Sequence, residues 1–349
     1  MCSKTWDELP QDIVESISKN FTIYADYLRF RSVCHRWRLS IPKIPLHLPT
    51  QLPWLMLSHS SFFDLSTNKI HHLNLAPYSS PATLVCGSSH GWLVILNEAS
   101  ELRLLNPITL STIPLPKLPV TVRWDHNTTR SPACLIKVVL SASPSSDDDD
   151  FTAFAMLGGN KFAFFRKGSD SWFVPDWNTK SNWVDVVYRN NSFFLVGQDG
   201  MMAVFDVDRL EISNVKTKKI FIRNGHRYLV FFKEDMLLVS RLFLNGSQSG
   251  LFSKTSRFMI YKMNWKLGMW EEIETLGKYS LFIGMKSSFC FRAADFVACR
   301  PNSIYFTDYY CGTDVGIYSL DEESIEMFPG YQLSPYGYLH YSVWVEPRP

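Results

Sequence analysis

One hairpin pattern occurs six times along the chain, and this repeat constrains the fold more than any other feature of the sequence. Each copy has an apolar strand, a polar turn and a second strand opened by a large apolar residue, which closes the hairpin pattern. These closing residues are Ile70, Ile113, Phe173, Ile212, Trp270 and Ile325. They follow one another at intervals of 43, 60, 39, 58 and 55 residues. Most hairpins are preceded by another apolar run, such as GWLVIL or SFFLVG, so one unit supplies about four strands.

Four-stranded units at this spacing are typical of β-propeller blades. We therefore predict a mainly β body, a β-propeller of about six blades over residues 54–346. The first unit is short, while the C-terminal run YLHYSVWV has no hairpin partner of its own. We expect this run, Leu339 to Val345, to complete the first blade and close the ring, which removes open strand edges. The aromatic fraction of 15% fits a β protein, because aromatic rings pack well on pleated surfaces.

A helical pattern precedes this body. Pro10 suits the first position of a helix, and Leu9, Ile13 and Ile17 recur at four-residue intervals. A second stripe consists of Tyr27, Phe30, Cys34 and Trp37. Two or three helices of this length cannot bury both stripes on each other, since domains this small usually need a metal, disulfides or a partner. The excess apolar surface fits either a partner protein or packing against the body as an N-terminal cap.

The first of these runs, W-D-x-L-P-x-D-I-V-x-x-I, is followed by Y-L-R-F-R-S-V-C-H-R-W-R, and together they resemble the F-box. F-boxes attach substrate receptors to the Skp-family adaptor of SCF ubiquitin ligases. The resemblance implies a small all-α, three-helix module at residues 4–40. It draws the adaptor-binding residues from Leu9, Pro10, Ile13, Val14, Ile17, Leu28, Val33 and Trp37. The sequence does not divide these eight between the adaptor interface and the module's own core.

A proline-rich linker, residues 41–53, joins the two parts. Its four prolines exclude a helix and favour an extended, semi-rigid segment. The body beyond it resembles the propeller of plant F-box proteins whose propeller function is unknown. This resemblance depends on the start Pro53-Trp54-Leu55, the S-S-H-G-W-L run at Ser88 to Leu93, and N-S-I-Y-F-T-D followed by D-V-G-I-Y-S-L.

The two resemblances imply a substrate-recognition subunit of an SCF-type E3 ubiquitin ligase. Its F-box would bind the Skp-family adaptor, and through it the cullin-RING ligase, while the propeller would bind a protein target. Such a receptor is not an enzyme, and the sequence has neither a G-x-S-x-G motif nor a glycine-rich phosphate loop. We expect no catalytic residue and no cofactor. A propeller enzyme, or a carbohydrate- or small-ligand-binding module with a helical cap, remains the alternative.

Charge and cysteine content limit the classes of partner and the cellular compartments that we expect for this chain. The net charge of +2 creates no field that would attract nucleic acid or an anionic membrane, and no segment has the apolar length of a membrane span. Seven scattered cysteines indicate reduced thiols, so we expect the nucleus and/or the cytoplasm. We expect no metal either, because the adjacent His71 and His72 would point to opposite faces of a strand.

Aromatic residues in loops are the candidates for binding the target. Tryptophan and tyrosine are enriched in interface hot spots, and the loops on one propeller face form a recognition surface. The candidates are Trp177 and Trp183 in DSWFVPDWNTKSNW, with Tyr309 and Tyr310 in TDYYCGTD. Packing of these rings between neighbouring blades would explain each of them as well.

Overall fold

The fold is taken from a computed structural model that describes most of the chain. The described residues are 6–43, 45, 47–75, 83–97, 99–119, 135–144, 150–177, 179, 181–220, 225–244, 254–307, 314–329 and 342–348. Within these ranges, every helix is too short or too polar to cross a membrane.

Three short helices form the N-terminal module. A 3₁₀ turn at Trp6–Glu8 leads into α1 (Gln11–Ser18), α2 (Tyr24–Arg31) and α3 (His35–Ser40). Pro10 stands directly before α1, where its missing N–H costs no hydrogen bond. The second helical stripe is split by Cys34, which is extended and whose sulfur accepts a hydrogen bond from the Trp37 backbone N–H at 3.4 Å. One apolar stripe therefore serves two helices.

The linker contacts both the module and the propeller. The hydroxyls of Tyr27 and Tyr24 donate to the carbonyl oxygens of Pro42 at 2.7 Å and Lys43 at 3.1 Å. Farther along, Leu52 is buried in an apolar cluster that includes residues of the first blade. The module also touches the second blade, since Ile108 packs against the helical core and Lys43 Nζ donates to Ser111 Oγ at 3.3 Å. These contacts hold the helices against the propeller.

The body consists of six sheets among the described residues, and each sheet is one blade. Blade 1 contains β1 (Trp54–Met56), β2 (Ser61–Asp64), β3 (Lys69–His72) and the last strand of the chain, β24 (Val343–Val345). Blade 2 contains β4 (Leu84–Ser89), β5 (Trp92–Leu96), β6 (Leu102–Leu105) and β7 (Thr112–Pro114), and blade 3 contains β8 (Leu135–Leu140), β9 (Thr152–Leu157) and β10 (Lys161–Arg166).

The second half of the ring consists of blades 4, 5 and 6, and blade 5 contains the longest described strands. Blade 4 contains β11 (Trp183–Arg189), β12 (Ser192–Gly197), β13 (Met202–Asp206) and β14 (Glu211–Val215). Blade 5 contains β15 (Gly225–Phe232), β16 (Asp235–Phe243), β17 (Thr255–Asn264) and β18 (Met269–Ile273). Blade 6 contains β19 (Tyr279–Ile283), β20 (Ser288–Arg292), β21 (Ser303–Phe306), β22 (Gly316–Ser319) and β23 (Ser324–Met327), with a 3₁₀ turn at Ala293–Asp295.

The predicted ring closure is confirmed. Strand β24 pairs antiparallel with β1, with Leu55 opposite Trp344 and Trp54 opposite Val345. The closing strand is shorter than predicted, three residues at the end of the Leu339 to Val345 run, and residues 339–341 lie outside the described residues. The first blade thus combines strands from both ends of the propeller, so the ring has no open first or last blade.

The six predicted hairpins are the outer edges of the six blades. In each, the closing residue lies opposite a large apolar residue of the preceding strand. The pairs are Phe63 with Ile70, Leu104 with Ile113, Phe164 with Phe173, Phe205 with Ile212, Met263 with Trp270 and Tyr318 with Ile325. Five of the turns begin with a side-chain oxygen that accepts a backbone N–H inside the turn. The accepting side chains belong to Asp64, Asn106, Asp206, Asn264 and Ser319. These local bonds explain why the hairpin pattern is legible in the sequence.

Two blades differ from the four-stranded expectation. In blade 3 the fourth strand is reduced, among the described residues, to the single bridge between Phe164 and Phe173. Its turn starts at Arg166, which has no side-chain acceptor for the turn, and Pro175 soon interrupts pairing. Blade 6 has an additional strand, because β20 lies inside β19 and β19 pairs parallel with β21.

The hydrophobic core is divided among the blade interfaces. Six apolar clusters of described residues each combine side chains from two neighbouring blades, and a seventh lies within the helical module. Neighbouring inner strands also contact one another, from β24 through β4, β8, β11 and β15 to β20. The inner strands therefore surround a central channel.

Candidate functional sites: the docking set and the central cavity

The structure divides the eight predicted adaptor-binding residues by exposure. Val14 and Trp37 are only 1% and 6% exposed and belong to the module's own core. Ile13 and Val33 are 42% and 57% exposed, and Pro10 is exposed as well. The remaining three, Leu9, Ile17 and Leu28, are half-buried. The sequence could not make this division.

Packing of α1 against α3 causes the division. Trp37 on α3 lies against Phe30, with ring centroids 4.5 Å apart, and Val14 is buried in the same cluster. Val14 and Ser18 are one turn apart and both face inward. Pro10, Ile13 and Ile17 follow the neighbouring side of the helix, at spacings of three and four residues. One side of α1 is thus buried in the module's own core, and the neighbouring side is exposed or half-buried.

Two further apolar residues of the module are exposed although they are not among the eight predicted adaptor-binding residues. Trp6, in the 3₁₀ turn, and Leu39, in α3, are both largely exposed. We call Trp6, Pro10, Ile13, Val33 and Leu39 the docking set. The sequence signal for Trp6 was its place at the head of the F-box-like run, whereas Leu39 lies off the apolar stripe and gave no signal.

The predicted target-binding tryptophans lie in the interface between blades 3 and 4. Trp183 is buried at the start of β11, and its Nε1–H donates to Thr179 Oγ1 at 3.2 Å. Trp177 is half-buried and packs on Trp183, with ring centroids 5.1 Å apart, and on Phe162 at 5.6 Å. Packing accounts for both rings, and target binding by them stays a prediction. Tyr309 and Tyr310 lie outside the described residues.

A different aromatic series reaches the surface. Trp265, in the turn of the fifth hairpin, is 48% exposed and lies 6.2 Å from Phe194, which lies 5.8 Å from Phe231. The guanidinium of Arg189 is 4.8 Å from the centre of the Phe231 ring, a cation–π contact. The three rings belong to separate strands or turns, so their succession could not be read from the sequence. Phe231 is also part of the wall of the central cavity.

The central cavity has a volume of about 380 Å³. It is surrounded by residues of β4, β8, β11, β15 and β20 and by the segment that follows β24. The apolar or aromatic side chains of its described lining include Tyr188, Phe231, Phe289 and Phe291. Its polar or charged side chains include Ser88, His90, Lys286, Glu346 and Arg348.

Charged groups around the cavity are held in specific pairs. Lys137 Nζ lies 2.6 Å from the Asp185 carboxylate, and both side chains are buried. Asp185 also accepts the backbone N–H groups of Val186 and Leu229, each at 2.8 Å. Its oxygens are thus occupied by three donors, which suits a structural role and leaves it poorly placed to act as a general base.

Among the residues that line the cavity, the Arg348 guanidinium lies 3.1 Å from the Glu346 carboxylate. Burial raises the pKa of Glu346, and the Arg348 charge opposes this shift. Burial also lowers the pKa of His90, and the neighbouring Arg348 charge acts in the same direction. Lys286 Nζ donates to the carbonyl oxygen of Ile136. His90 is therefore neutral at neutral pH, while the lysine and arginine supply positive charge.

The histidines considered as metal ligands have other contacts. His71 stacks on Trp54, with ring centroids 4.5 Å apart, and its Nε2 is 3.4 Å from the Asp64 carboxylate. His72 Nδ1 lies 3.1 Å from Ser61 Oγ. In the part of the chain that the structure describes, no three His, Cys, Asp or Glu residues converge in a way that could hold a metal ion.

Comparisons with known proteins bear on both parts of the chain. A family model described as the KIB1-4 beta-propeller matches residues 62–319, and a model described as the F-box domain matches residues 6–48. Among similar proteins of Arabidopsis thaliana, F-box protein At2g26160 is 24% identical, with 87% of this chain and 95% of that protein covered. F-box/kelch-repeat protein At1g57790 is 24% identical over 98% and 94%, and F-box protein SKIP23 is 26% identical over 89% and 86%.

Proposed function

We propose that this chain is the substrate-recognition subunit of an SCF-type E3 ubiquitin ligase. The proposal is supported by its sequence, because the chain belongs to the KIB1-4 β-propeller family and carries an F-box domain before the propeller. In this role the F-box binds the Skp-family adaptor, which connects the chain to the cullin-RING ligase. The propeller binds the protein target that is to be ubiquitinated.

The docking set is the observation that carries this proposal. The module already has a buried core containing Val14 and Trp37, so its fold does not require Ile13 or Val33 to be apolar. Large apolar side chains that remain exposed on a small domain are typical of a protein-binding surface. The same exposure weighs against the alternative in which the helices serve only as a cap, because a cap would bury these side chains on the propeller.

The linker contacts support a receptor in which the two parts keep a defined geometry. The module is attached through the hydrogen bonds of Tyr24 and Tyr27 to the linker, and the linker continues into the propeller core at Leu52. A fixed distance between adaptor and target favours transfer of ubiquitin, because it raises the effective concentration of the target lysine at the transfer site.

Transfer of ubiquitin is carried out by other ligase subunits, and this chain contributes binding alone. We place it in the nucleus and/or the cytoplasm, where the ligase acts, with neither nucleic acid nor membrane as partner. Its propeller target is a protein.

The test compares two exposed valines. Val33→Asp, alone and with Ile13→Asp, is matched by Val297→Asp, since Val297 is fully exposed on the propeller. A charge placed in an adaptor interface should reduce co-purification of the adaptor at least about tenfold, the effect of losing one hot-spot residue. The Val297→Asp control should bind as the wild type does, and all variants should keep the melting temperature. Equal adaptor capture by all variants would refute the docking assignment.

A further inference from the structure

We propose that Asn106 is a positioning residue for the helical module, because it ties the hairpin turn that contacts the helices to the segment that follows the ring-closing strand. We call this turn, residues 106–111 between β6 and β7, the seat turn. Through it, closure of the propeller and seating of the helices are coupled. That the seated helices present an adaptor rests on the proposed function, whereas the coupling is a property of this chain alone.

The seat turn touches the helical module at two points. Ile108 packs against the buried core of the helices, and Lys43 Nζ donates to Ser111 Oγ at 3.3 Å. Ile108 also packs against the apolar cluster between blades 1 and 2, which includes Val343 and Val345 of the closing strand β24. One side chain is therefore shared by the core of the helices and the cluster that contains the closing strand.

Asn106 begins the seat turn and is completely buried. Its Oδ1 accepts the backbone N–H groups of Ile108 at 3.0 Å and Thr109 at 2.9 Å, which fixes the turn. Its Nδ2 donates to the carbonyl oxygen of Arg348 at 2.9 Å. Both ends of this side-chain amide are thus used, one for the turn and the other for the segment after β24.

The equivalent turn of blade 4 shows that the turn itself does not need an amide. There Asp206 Oδ1 accepts the backbone N–H groups of Asp208 at 2.9 Å and Arg209 at 3.0 Å. A carboxylate therefore suffices where a side chain only has to hold the turn. The amide of Asn106 adds a donor that an ionised carboxylate lacks, and this donor is the group that binds Arg348.

Gly91, in the turn between β4 and β5, makes room for the same segment. Its φ is +82°, and a Cβ added to it would lie 2.8 Å from both the Cβ and the carbonyl oxygen of Arg348. The Arg348 backbone is also held locally, since its N–H donates to the Glu346 carbonyl oxygen at 2.9 Å. A second residue of blade 2, independent of Asn106, thus fits closely around Arg348.

The helices need support of this kind because they are short. They have 8, 8 and 6 residues, and a domain this small is rarely stable by itself. The linker attaches the helices at one place and the seat turn at a second, so the two together fix an orientation. Ring closure brings Arg348, Val343 and Val345 to the seat turn, so the second support is complete only in a closed ring.

Hydrogen exchange measured by mass spectrometry on the full-length chain tests the coupling. Asn106→Asp keeps the acceptor that holds the seat turn and removes the donor to Arg348. The amides of α1, α2 and α3 should exchange about tenfold faster, because loss of a buried hydrogen bond makes local opening of the helices easier. The matched control is Asp206→Asn, the reverse substitution in blade 4, which should leave exchange in the helices unchanged.

Gly91→Ala tests the same coupling without changing the seat turn. Its Cβ would collide with Arg348, so exchange in the helices should again become about tenfold faster. The control is Gly168→Ala, because Gly168 has a similar φ of +86° and no atom of the described residues lies within 4 Å of the added Cβ. The two variants carry similar backbone strain and differ in the collision with Arg348.

Three results would overturn the proposal. The first is wild-type exchange in the helices of Asn106→Asp, and the second is acceleration confined to the seat turn and its neighbouring strands, which would mean a purely local role. The third is equal acceleration of the helices in a variant and its control, which would mean a general loss of propeller stability. If Asn106→Asp does not fold, Gly91→Ala and its control decide.

The outcome is independent of the adaptor test. All four substitutions leave the docking set in place, and the exchange measurements contain no adaptor. Failure of the wild type to capture the adaptor would refute the proposed function and leave the coupling intact, whereas unchanged exchange in the helices would refute the coupling and leave adaptor docking intact.

Discussion

Replacement of Trp344 by alanine tests whether the C-terminal strand holds the ring together. Trp344 is fully buried in the cluster between blades 1 and 6, with its ring 5.1 Å from that of Phe282 and 5.6 Å from that of Phe328. Its Nε1–H donates to the Ile283 carbonyl at 3.1 Å, and its own carbonyl accepts from Ser287 Oγ at 2.8 Å. One residue, through its ring and its backbone carbonyl, thus joins the closing strand to the last blade.

The expected loss follows from these contacts. Truncation of a buried tryptophan to alanine costs about 3–5 kcal/mol, from lost apolar burial and the cavity left behind. For a body of this size, a loss of about 4 kcal/mol lowers the melting temperature on the order of 8 °C. Trp344→Phe keeps most of the ring contacts and loses the bond to Ile283, so its melting temperature should lie between those of Trp344→Ala and the wild type.

The measurement is thermal unfolding followed by circular dichroism, with calorimetry to check cooperativity. Trp265→Ala is the matched control, because Trp265 is half exposed in a turn and its truncation should cost less than about 1 kcal/mol. A chain that ends at Ser342 lacks β24 and should lose the cooperative transition of the whole body, since β1 then has an open edge. If Trp344→Ala melts within about 2 °C of Trp265→Ala, the strand does not close the ring energetically.

Two further predictions concern buried charge. Arg241→Met should reduce the free energy of unfolding by about 3–5 kcal/mol in urea titrations, because it leaves the carboxylate of Asp314, 2.8 Å from the arginine, without its buried partner. Arg300→Met, which breaks an exposed pair, should cost at most about 1 kcal/mol. Burial raises the pKa of Glu346, so the folded state keeps a proton that the unfolded state has already lost. The wild type should therefore lose stability as pH rises from the ordinary glutamate pKa through the raised pKa of Glu346. Melting temperatures measured from about pH 4 to about pH 8 should show this decline in the wild type and not in Glu346→Gln. Parallel curves for the two proteins would contradict the prediction.

The propeller could be predicted because its repeat depends on local chemistry. Each outer hairpin combines a turn with a closing residue, and in five of the six the turn is set by a side chain such as Asp64 or Asp206 that bonds to the backbone a few residues on. The details of blades 3 and 6 could not be predicted. The β19–β20 hairpin reads like an ordinary pair of strands, and the parallel pairing of β19 with β21 depends on how the chain returns after Ala293–Asp295.

The candidate sites could likewise not be predicted in detail, because they depend on tertiary packing. Val14 and Ile13 are neighbouring apolar residues on one helix, and only the packing of α1 on α3 buries the first and exposes the second. The cavity is still harder to predict from the sequence, because Ser88 and Arg348 both line it although they are 260 positions apart in the chain. Sequence patterns identify which side chains are apolar or charged, whereas ring closure decides which of them meet.

Aromatic residues illustrate why the target-binding face was harder to predict than the fold. A propeller needs large rings between its blades, so a tryptophan in the sequence indicates binding only if packing does not already use it. Trp183 is used in this way, between blades 3 and 4, whereas Trp265 is half exposed. Trp265 is moreover connected to the cavity wall by two ring contacts, through Phe194 to Phe231. Side-chain burial, which the sequence does not show, therefore decides which of the two tryptophans is available to a partner.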